Sequence, residues 1–189
     1  MTCIVGLVSD GEVYLGCDSF GADQYSGMSR KDLKIFKNGD SLVGFTTSFR
    51  MGQLLQFQAK FPARRADQDL FEFMVVDYIE EARRCLKQGG FSKKINEVEE
   101  AGCFLVGLEG RLFVIESDYQ VGEPLCGFDA IGCGRQLALG ALAATRAQED
   151  PVARVATALR AAAEFSTGVR GPFHLAVMQV NGKHRWCAP

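Results

Sequence analysis

A threonine at position 2 sits directly behind Met1 and directly ahead of the apolar run Cys3-Ile4-Val5-Gly6-Leu7-Val8, and it is the residue of this chain best placed to do chemistry. A threonine hydroxyl is a weak nucleophile at neutral pH. Once Met1 is removed, Thr2 carries its own general base, because a free α-amino group titrates near ~7.7–8.0 and can take the hydroxyl proton. The same dipeptide begins many chains that make no use of it, so the reading depends on what else converges on Thr2. Other reactive groups offer less. His174 and His184 stand far from any Cys/His/Asp cluster with metal-ligand spacing, so no metal is expected and both read as structural. Gly132-Cys133-Gly134-Arg135 resembles part of a dinucleotide loop, but Leu137 fills the third glycine position and no parallel βαβ context surrounds it; no cofactor is expected.

The elements that must position Thr2 come in blocks. Strands are predicted over residues 3–9 and 12–18, joined by Asp10-Gly11, and over 33–36 and 41–46, joined through Asn38-Gly39-Asp40; both connections suit tight hairpins. Helical spacing then takes over, first through Leu54, Leu55 and Phe57 up to Pro62, then from Leu70 to Ile79 and on to Gly89-Gly90. A third hairpin is predicted over 103–108 and 112–116 about Glu109-Gly110, with 119–121 as a short continuation. Helices follow over 135–148 and 152–165, the second opened by Asp150 as N-cap and Pro151 at the first helical position. The last hairpin, 173–180 with 183–186, turns on Asn181-Gly182, the strongest short hairpin signal in the chain. Alternating blocks of antiparallel strands and helix pairs predict an α+β fold, a four-layer αββα sandwich of two packed sheets between helix layers.

Composition sets the outer limits. With 189 residues, 47% hydrophobic and 23% charged, the chain reads as one domain, 1–189, able to bury about 70% of its unfolded surface. Lys plus Arg number 21 against 23 Asp plus Glu, which leaves no basic footprint for nucleic acid or an anionic membrane. Seven scattered cysteines, mostly in apolar runs, are the usage of a reducing compartment, and no signal peptide or membrane span is apparent; a cytoplasmic location is expected.

Several segments together resemble a known family. Thr2 at the first strand, Gly16-Cys17-Asp18-Ser19 ending the second, Lys34 opening the third, and Gly44-Phe45-Thr46-Thr47-Ser48 ending the fourth look like the catalytic half of a proteasome β-type subunit, one of the N-terminal nucleophile hydrolases. Ile131-Gly132-Cys133-Gly134 and Glu164-Phe165-Ser166-Thr167-Gly168 fall where that family places its remaining site residues. The match spans almost the whole chain and is most like the bacterial β-proteasome homologues.

The resemblance implies a threonine peptidase, with Thr2 as nucleophile, Lys34 holding positive charge beside it, and Asp18 fixing Lys34. Taken singly, Asp18 and Lys34 read more readily as solvated charges or a surface pair, and it is the ordered conjunction with Thr2 and the Gly44-Phe45-Thr46 strand end that favours the catalytic reading. Backbone N–H groups near Thr47 are the expected oxyanion hole, and Cys133 and Glu164 complete the implied catalytic set. Three departures mark this chain. Thr47-Ser48 replaces Gly-Gly, Cys133 replaces a serine that bonds the terminal amine, and Glu164 replaces an aspartate; together they point to slow, selective or absent turnover.

The family's primary specificity positions fall on Gly21, Asp32, Phe45, Phe49 and Gln53, and Phe49 stands where a small residue is usual, which predicts a narrowed pocket. Partners implied by the resemblance are further copies of the chain in a stacked double ring, a tetradecamer rather than a dodecamer, acting on peptide or unfolded protein, with any ATPase partner unidentified. The apolar residues between Leu54 and Ile79 either serve that assembly or fill the subunit's own helix-to-sheet layer. Two other functions stay open: an amidase of the same chemistry acting on a small amide, and a ring-forming scaffold whose site has decayed. A cysteine nucleophile at Cys3, exposed by removal of two residues, is a minor variant.

Overall fold

A computed structural model describes residues 1–188 apart from Gln24 and Asn96. In chain order it comprises β1 (Cys3–Ser9), β2 (Glu12–Cys17), β3 (Phe20–Ala22), β4 (Gly27–Ser29), β5 (Ile35–Asn38), β6 (Ser41–Phe45), α1 (Phe49–Phe57), α2 (Leu70–Phe73), a π-helical segment (Met74–Tyr78), α3 (Ile79–Gln88), β7 (Lys93–Ile95) and β8 (Val98–Glu100). The second half adds β9 (Phe104–Leu108), β10 (Arg111–Ile115), β11 (Val121–Gly122), β12 (Phe128–Gly132), α4 (Arg135–Ala144), α5 (Pro151–Phe165), β13 (His174–Met178) and β14 (His184–Cys187). Two five-stranded sheets, ordered β12-β1-β2-β13-β14 and β11-β10-β9-β6-β5, are antiparallel throughout.

The period of two along each strand divides the core into three layers. Ile4, Leu15 and Ile131 of the first sheet face Ile35, Leu42, Leu105 and Leu112 of the second, which makes the sandwich interior. Their neighbours Val5, Leu7 and Ala130 turn the other way onto Ala138 and Leu142 of α4 and Val155 and Leu159 of α5. Phe36, Val43, Phe104 and Phe113 likewise turn outward onto Met51, Leu54, Phe73, Met74, Tyr78 and Leu86 of the helices between α1 and α3. The layers therefore run helix, sheet, sheet, helix, as the αββα expectation requires.

The turns follow from local chemistry. Asp10-Gly11 and Glu109-Gly110 both hold left-handed backbone (φ 50 and 75, 48 and 78), the pairing a type I′ turn demands. Asn181-Gly182 is different. Only Gly182 is left-handed, and the connection is closed by Gln179 N–H to Lys183 O at 2.8 Å, so this hairpin is wider than the dipeptide implies. Asp150 caps α5 through Val152 N–H (2.9 Å), with Pro151 in the first turn as expected.

Some expectations change. The helix predicted over 135–148 ends at Ala144, where Thr145 Oγ1 donates to Ala141 O at 2.8 Å. The strand Phe128–Gly132 and the small hairpins β3–β4 and β7–β8 were not anticipated, and the predicted continuation 119–121 is confined to Val121–Gly122. Among the described residues no helix is long and apolar enough to cross a membrane.

Candidate active site

Five strand ends meet at one end of the sandwich. Thr2 precedes β1, Asp18 follows β2, Cys133 follows β12, Lys34 precedes β5 and Thr46 follows β6. Antiparallel register puts the start of β1 opposite the ends of β2 and β12: Ile4 pairs with Cys17, and Cys3 with Gly132. Thr2 is 5% exposed, Asp18 0% and Lys34 1%, so this is an interior ion pair beside a threonine and not a solvated surface pair.

Every polar atom of the ion pair has a partner. Lys34 Nζ donates to Asp18 Oδ1 at 2.8 Å, to Phe20 O at 2.6 Å and to Met1 O at 3.4 Å, which uses all three ammonium protons. Asp18 Oδ1 also accepts from Cys3 N–H (2.9 Å) and Oδ2 from Phe20 N–H (3.1 Å). The carboxylate thereby ties β1, β3 and β5 together and aims the ammonium at the carbonyl that precedes Thr2. Thr2 Oγ1 donates to that same Met1 carbonyl oxygen. With Met1 attached, the Thr2 nitrogen is an amide and cannot act as a base.

Cys133 closes the other side. Thr2 N–H points at Cys133 Sγ (3.3 Å), the thiol lies 3.4 Å from Thr2 O, and Ser166 Oγ lies 3.5 Å from the sulfur. Gly132 has φ +95, and a Cβ on it would stand 2.2 Å from Thr2 O, so only glycine allows β12 to approach this closely. Gly168 packs in the same way, its absent Cβ leaving room for Met1 and the Cys133 sulfur. Glu164 is exposed on the last turn of α5 and takes part in none of the hydrogen bonds around Thr2. Ser166, two residues on, makes the contact instead. Cys3 is fully buried and its thiol is pushed far up by burial, and burial lifts Cys17 to about 12; neither is available as a thiolate.

The turn from β6 into α1 carries the third departure. Thr47 has φ +71, an unfavourable region for a β-branched residue, and its N–H is folded onto Thr46 Oγ1 at 2.5 Å. Its side chain packs toward Gly102, where an added Cβ would meet Thr47 Oγ1 at 2.6 Å, so the extra bulk of threonine has a place beside Gly102. Ser48 caps α1 through Arg50 N–H (3.1 Å).

No family model matches the sequence, and no curated protein does. Solved structures do. BPH of Thiobacillus denitrificans superposes with a TM-score of 0.78 at 23% identity, over 94% of this chain and 98% of that one, and its complex with epoxomicin gives 0.77 at the same identity and coverage. A eukaryotic HslV from Trypanosoma brucei gives 0.65 at 16% identity over 94% and 99%. The chain has the proteasome-type N-terminal nucleophile hydrolase fold.

Within this proteasome-type fold the expected specificity residues divide between two cavities. Gly21, Phe45 and Phe49 line a cleft of about 60 Å³ together with Met1, Thr2 and Thr46–Ser48. Asp32 and Gln53 instead line a hollow of about 440 Å³ with Phe36, Phe57, His184 and Trp186, and Phe45 and Phe49 form walls of both. Residues at the Thr2–Asp18–Lys34 cluster that sequence reasoning did not single out are Phe20, whose carbonyl holds Lys34 and whose N–H donates to Asp18, Ser19, which follows Asp18 and is tied to Pro172 O at 2.6 Å, and Ser166. The first two adjoin Asp18 and the third lies inside the Glu164–Gly168 segment, so proximity to a named residue was the available signal.

Proposed function

We propose that the processed chain is an N-terminal threonine hydrolase, acting as a peptidase of narrow specificity. The observation that carries this reading is the buried Lys34–Asp18 pair directed at the Thr2 edge. A buried ion pair is seldom the most stable way to fill a core, since apolar residues of similar volume do as well or better, so its retention beside a hydroxyl argues for use.

In the proposed reaction Met1 has gone. The free Thr2 amine, through a water, takes the Oγ proton as Oγ attacks the scissile carbonyl carbon; the tetrahedral oxygen is stabilised by backbone N–H groups at Thr47 and the start of α1. Collapse expels the amine, which leaves with the proton held by Thr2, and water then hydrolyses the ester. Lys34 lowers the cost of the developing charge, and Cys133 orients the terminal nitrogen. Because Thr47 N–H is folded onto Thr46 Oγ1 in this state, that turn must relax for the donor to serve. The proposed setting is a homo-oligomeric double ring in the cytoplasm, a location supported by seven free cysteines.

The small cleft beside Thr2 also favours a second reading, an amidase acting on a small amide through the same residues. Epoxomicin is found on the Thiobacillus relative, which makes epoxyketones the natural probe. Intact mass spectrometry of protein shown to begin at Thr2 is expected to give one adduct per chain, lost in Thr2→Ala and absent from protein that retains Met1. An unmodified mass on correctly processed protein would leave the scaffold reading standing. Turnover of peptides by labelled-competent protein then separates peptidase from amidase.

A further inference from the structure

The first residue of α1, Phe49, sits at a junction. Its ring forms a wall of the cleft at Thr2, of the hollow of about 440 Å³ with Trp186 and Phe57, and of a groove of about 330 Å³ bounded by β3 and β4. It is half-buried and packs against the edge of the helix-to-sheet layer. As the first residue after the Ser48 cap it has no preceding helical turn to restrict its χ1 angle. Phe45 meets it edge-on at a centroid distance of 5.8 Å, and Gly21 makes room for it, since a Cβ there would lie 3.2 Å from the ring and 2.8 Å from Arg30 Cδ.

Two cations face the ring: the Arg30 guanidinium lies 3.9 Å from the Phe49 ring centroid and Lys34 Nζ 5.9 Å from it, so Arg30 makes the closer contact. Arg30 is itself held in place. Its Nε and Nη2 donate to the two carboxylate oxygens of Asp32 at 2.8 Å each, a planar fork-to-fork pair, and its backbone N–H donates to Ser19 O at 2.8 Å. Arg30 and Asp32 are themselves partly exposed, so it is the two-point geometry and the backbone tether that keep the flat face of the guanidinium on the Phe49 ring.

We propose that Arg30, anchored by Asp32, is a positioning residue that latches Phe49 across the Thr2 cleft and so restricts substrates to small side chains next to the scissile bond. With the latch released, the ring swings toward the hollow, and the space shared by cleft and hollow admits large apolar or aromatic side chains against Phe36, Phe45 and Phe57. This rests on the proposed reaction at Thr2 for its consequence in specificity, while the latch itself is a property of the fold.

Two readouts separate the latch from the reaction. The first uses a pair of peptide epoxyketones, identical except for alanine or phenylalanine beside the warhead, on protein beginning at Thr2. Arg30→Ala is expected to raise the phenylalanine-to-alanine labelling ratio on the order of fivefold, the scale of one exposed cation–π contact. Arg30→Lys keeps a cation but loses the planar fork and the stacking face, so it rises part-way, as does Asp32→Asn, and Arg30→Ala adds nothing in a Phe49→Ala background. The second readout needs no catalysis: Trp186, the chain's one tryptophan, lines the hollow, and acrylamide quenching of its fluorescence is expected to fall in Arg30→Ala and to fall less in Arg30→Lys.

If the alanine probe labels every variant yet the ratio is unmoved in Arg30→Ala, or its effect adds fully to that of Phe49→Ala, the latch is overturned. If neither probe labels any variant, the reaction at Thr2 is what has failed, and unchanged Trp186 quenching in Arg30→Ala then overturns the latch independently.

Discussion

Lys34 shows how a single residue can matter more for what it faces than for what it contributes to stability. Its ammonium and the Asp18 carboxylate are both removed from water, and the pair is sustainable because each remaining proton and lone pair finds a backbone partner. Lys34→Met leaves the carboxylate buried with only N–H donors, and the expected loss of stability is about 3–5 kcal/mol, read as a fall in the urea midpoint at unchanged slope. The double variant Asp18→Asn, Lys34→Met should regain part of that loss while epoxyketone labelling stays absent. A double variant no more stable than Lys34→Met would show that the cost lies in packing and not in the orphaned charge. The roles of Asp18 and Lys34 were legible only through the family resemblance; what the sequence itself offered was their place at the ends of two hairpin strands, sixteen residues apart and in order after Thr2. Glu164 was placed by the family resemblance, which does not tell where this helix ends: α5 stops at Phe165, so Glu164 stays on the exposed side of its last turn and Ser166, already extended, turns to Cys133.

At the scale of elements, the site exists because five strand ends converge, and β12 is the one least visible beforehand. Phe128 and Ala130 face the helix layer while Ile131 faces the sandwich, so both sides of this strand are buried and it shows no clean alternation to announce itself. Its position is set by Gly132. Gly132→Ala forces a Cβ toward Thr2 O in a left-handed backbone, so a destabilisation of about 2 kcal/mol or more is expected, with loss of probe labelling as β12 is pushed from β1. Gly140→Ala is the matched control, since this exposed position in α4 has nothing within 4 Å of an added Cβ, and there a gain of about 0.5–1 kcal/mol is expected. Equal effects at the two positions, measured by thermal unfolding, would remove the argument that Gly132 sets the strand's approach. The hairpins built on Asp10-Gly11 and Glu109-Gly110 were legible because their backbone demand is local; the pairing of β12 with β1 depends on residues some 130 apart and has no local signature.

For the whole molecule, the apolar stretch between Leu54 and Ile79 divides residue by residue between core and surface. Leu54, Leu55, Leu70, Phe73, Met74, Tyr78 and Ile79 are buried in the subunit's own helix-to-sheet layer, whereas Phe57, Phe71, Val75 and Val76 stay exposed. Phe71 and Val75 are four apart, which puts them on one face of the helix that begins at Leu70, with Val76 beside them. In an isolated subunit, charged substitutions at such exposed positions change stability by less than about 0.5 kcal/mol. In a ring that covers this face they would bury an unpaired charge in every interface. Val75→Lys with Val76→Lys is therefore expected to leave the melting temperature of the dissociated subunit almost unchanged while shifting mass photometry from a multiple of 20.6 kDa toward the single chain. A wild-type protein that is already a monodisperse monomer would refute assembly altogether, and an oligomer indifferent to both lysines would place the contact elsewhere. The two proposals meet here: if the ring forms and encloses Thr2, the Arg30–Phe49 latch selects among side chains already admitted to the chamber, and labelling of assembled and dissociated protein by the same probe pair should then differ in rate but not in ratio.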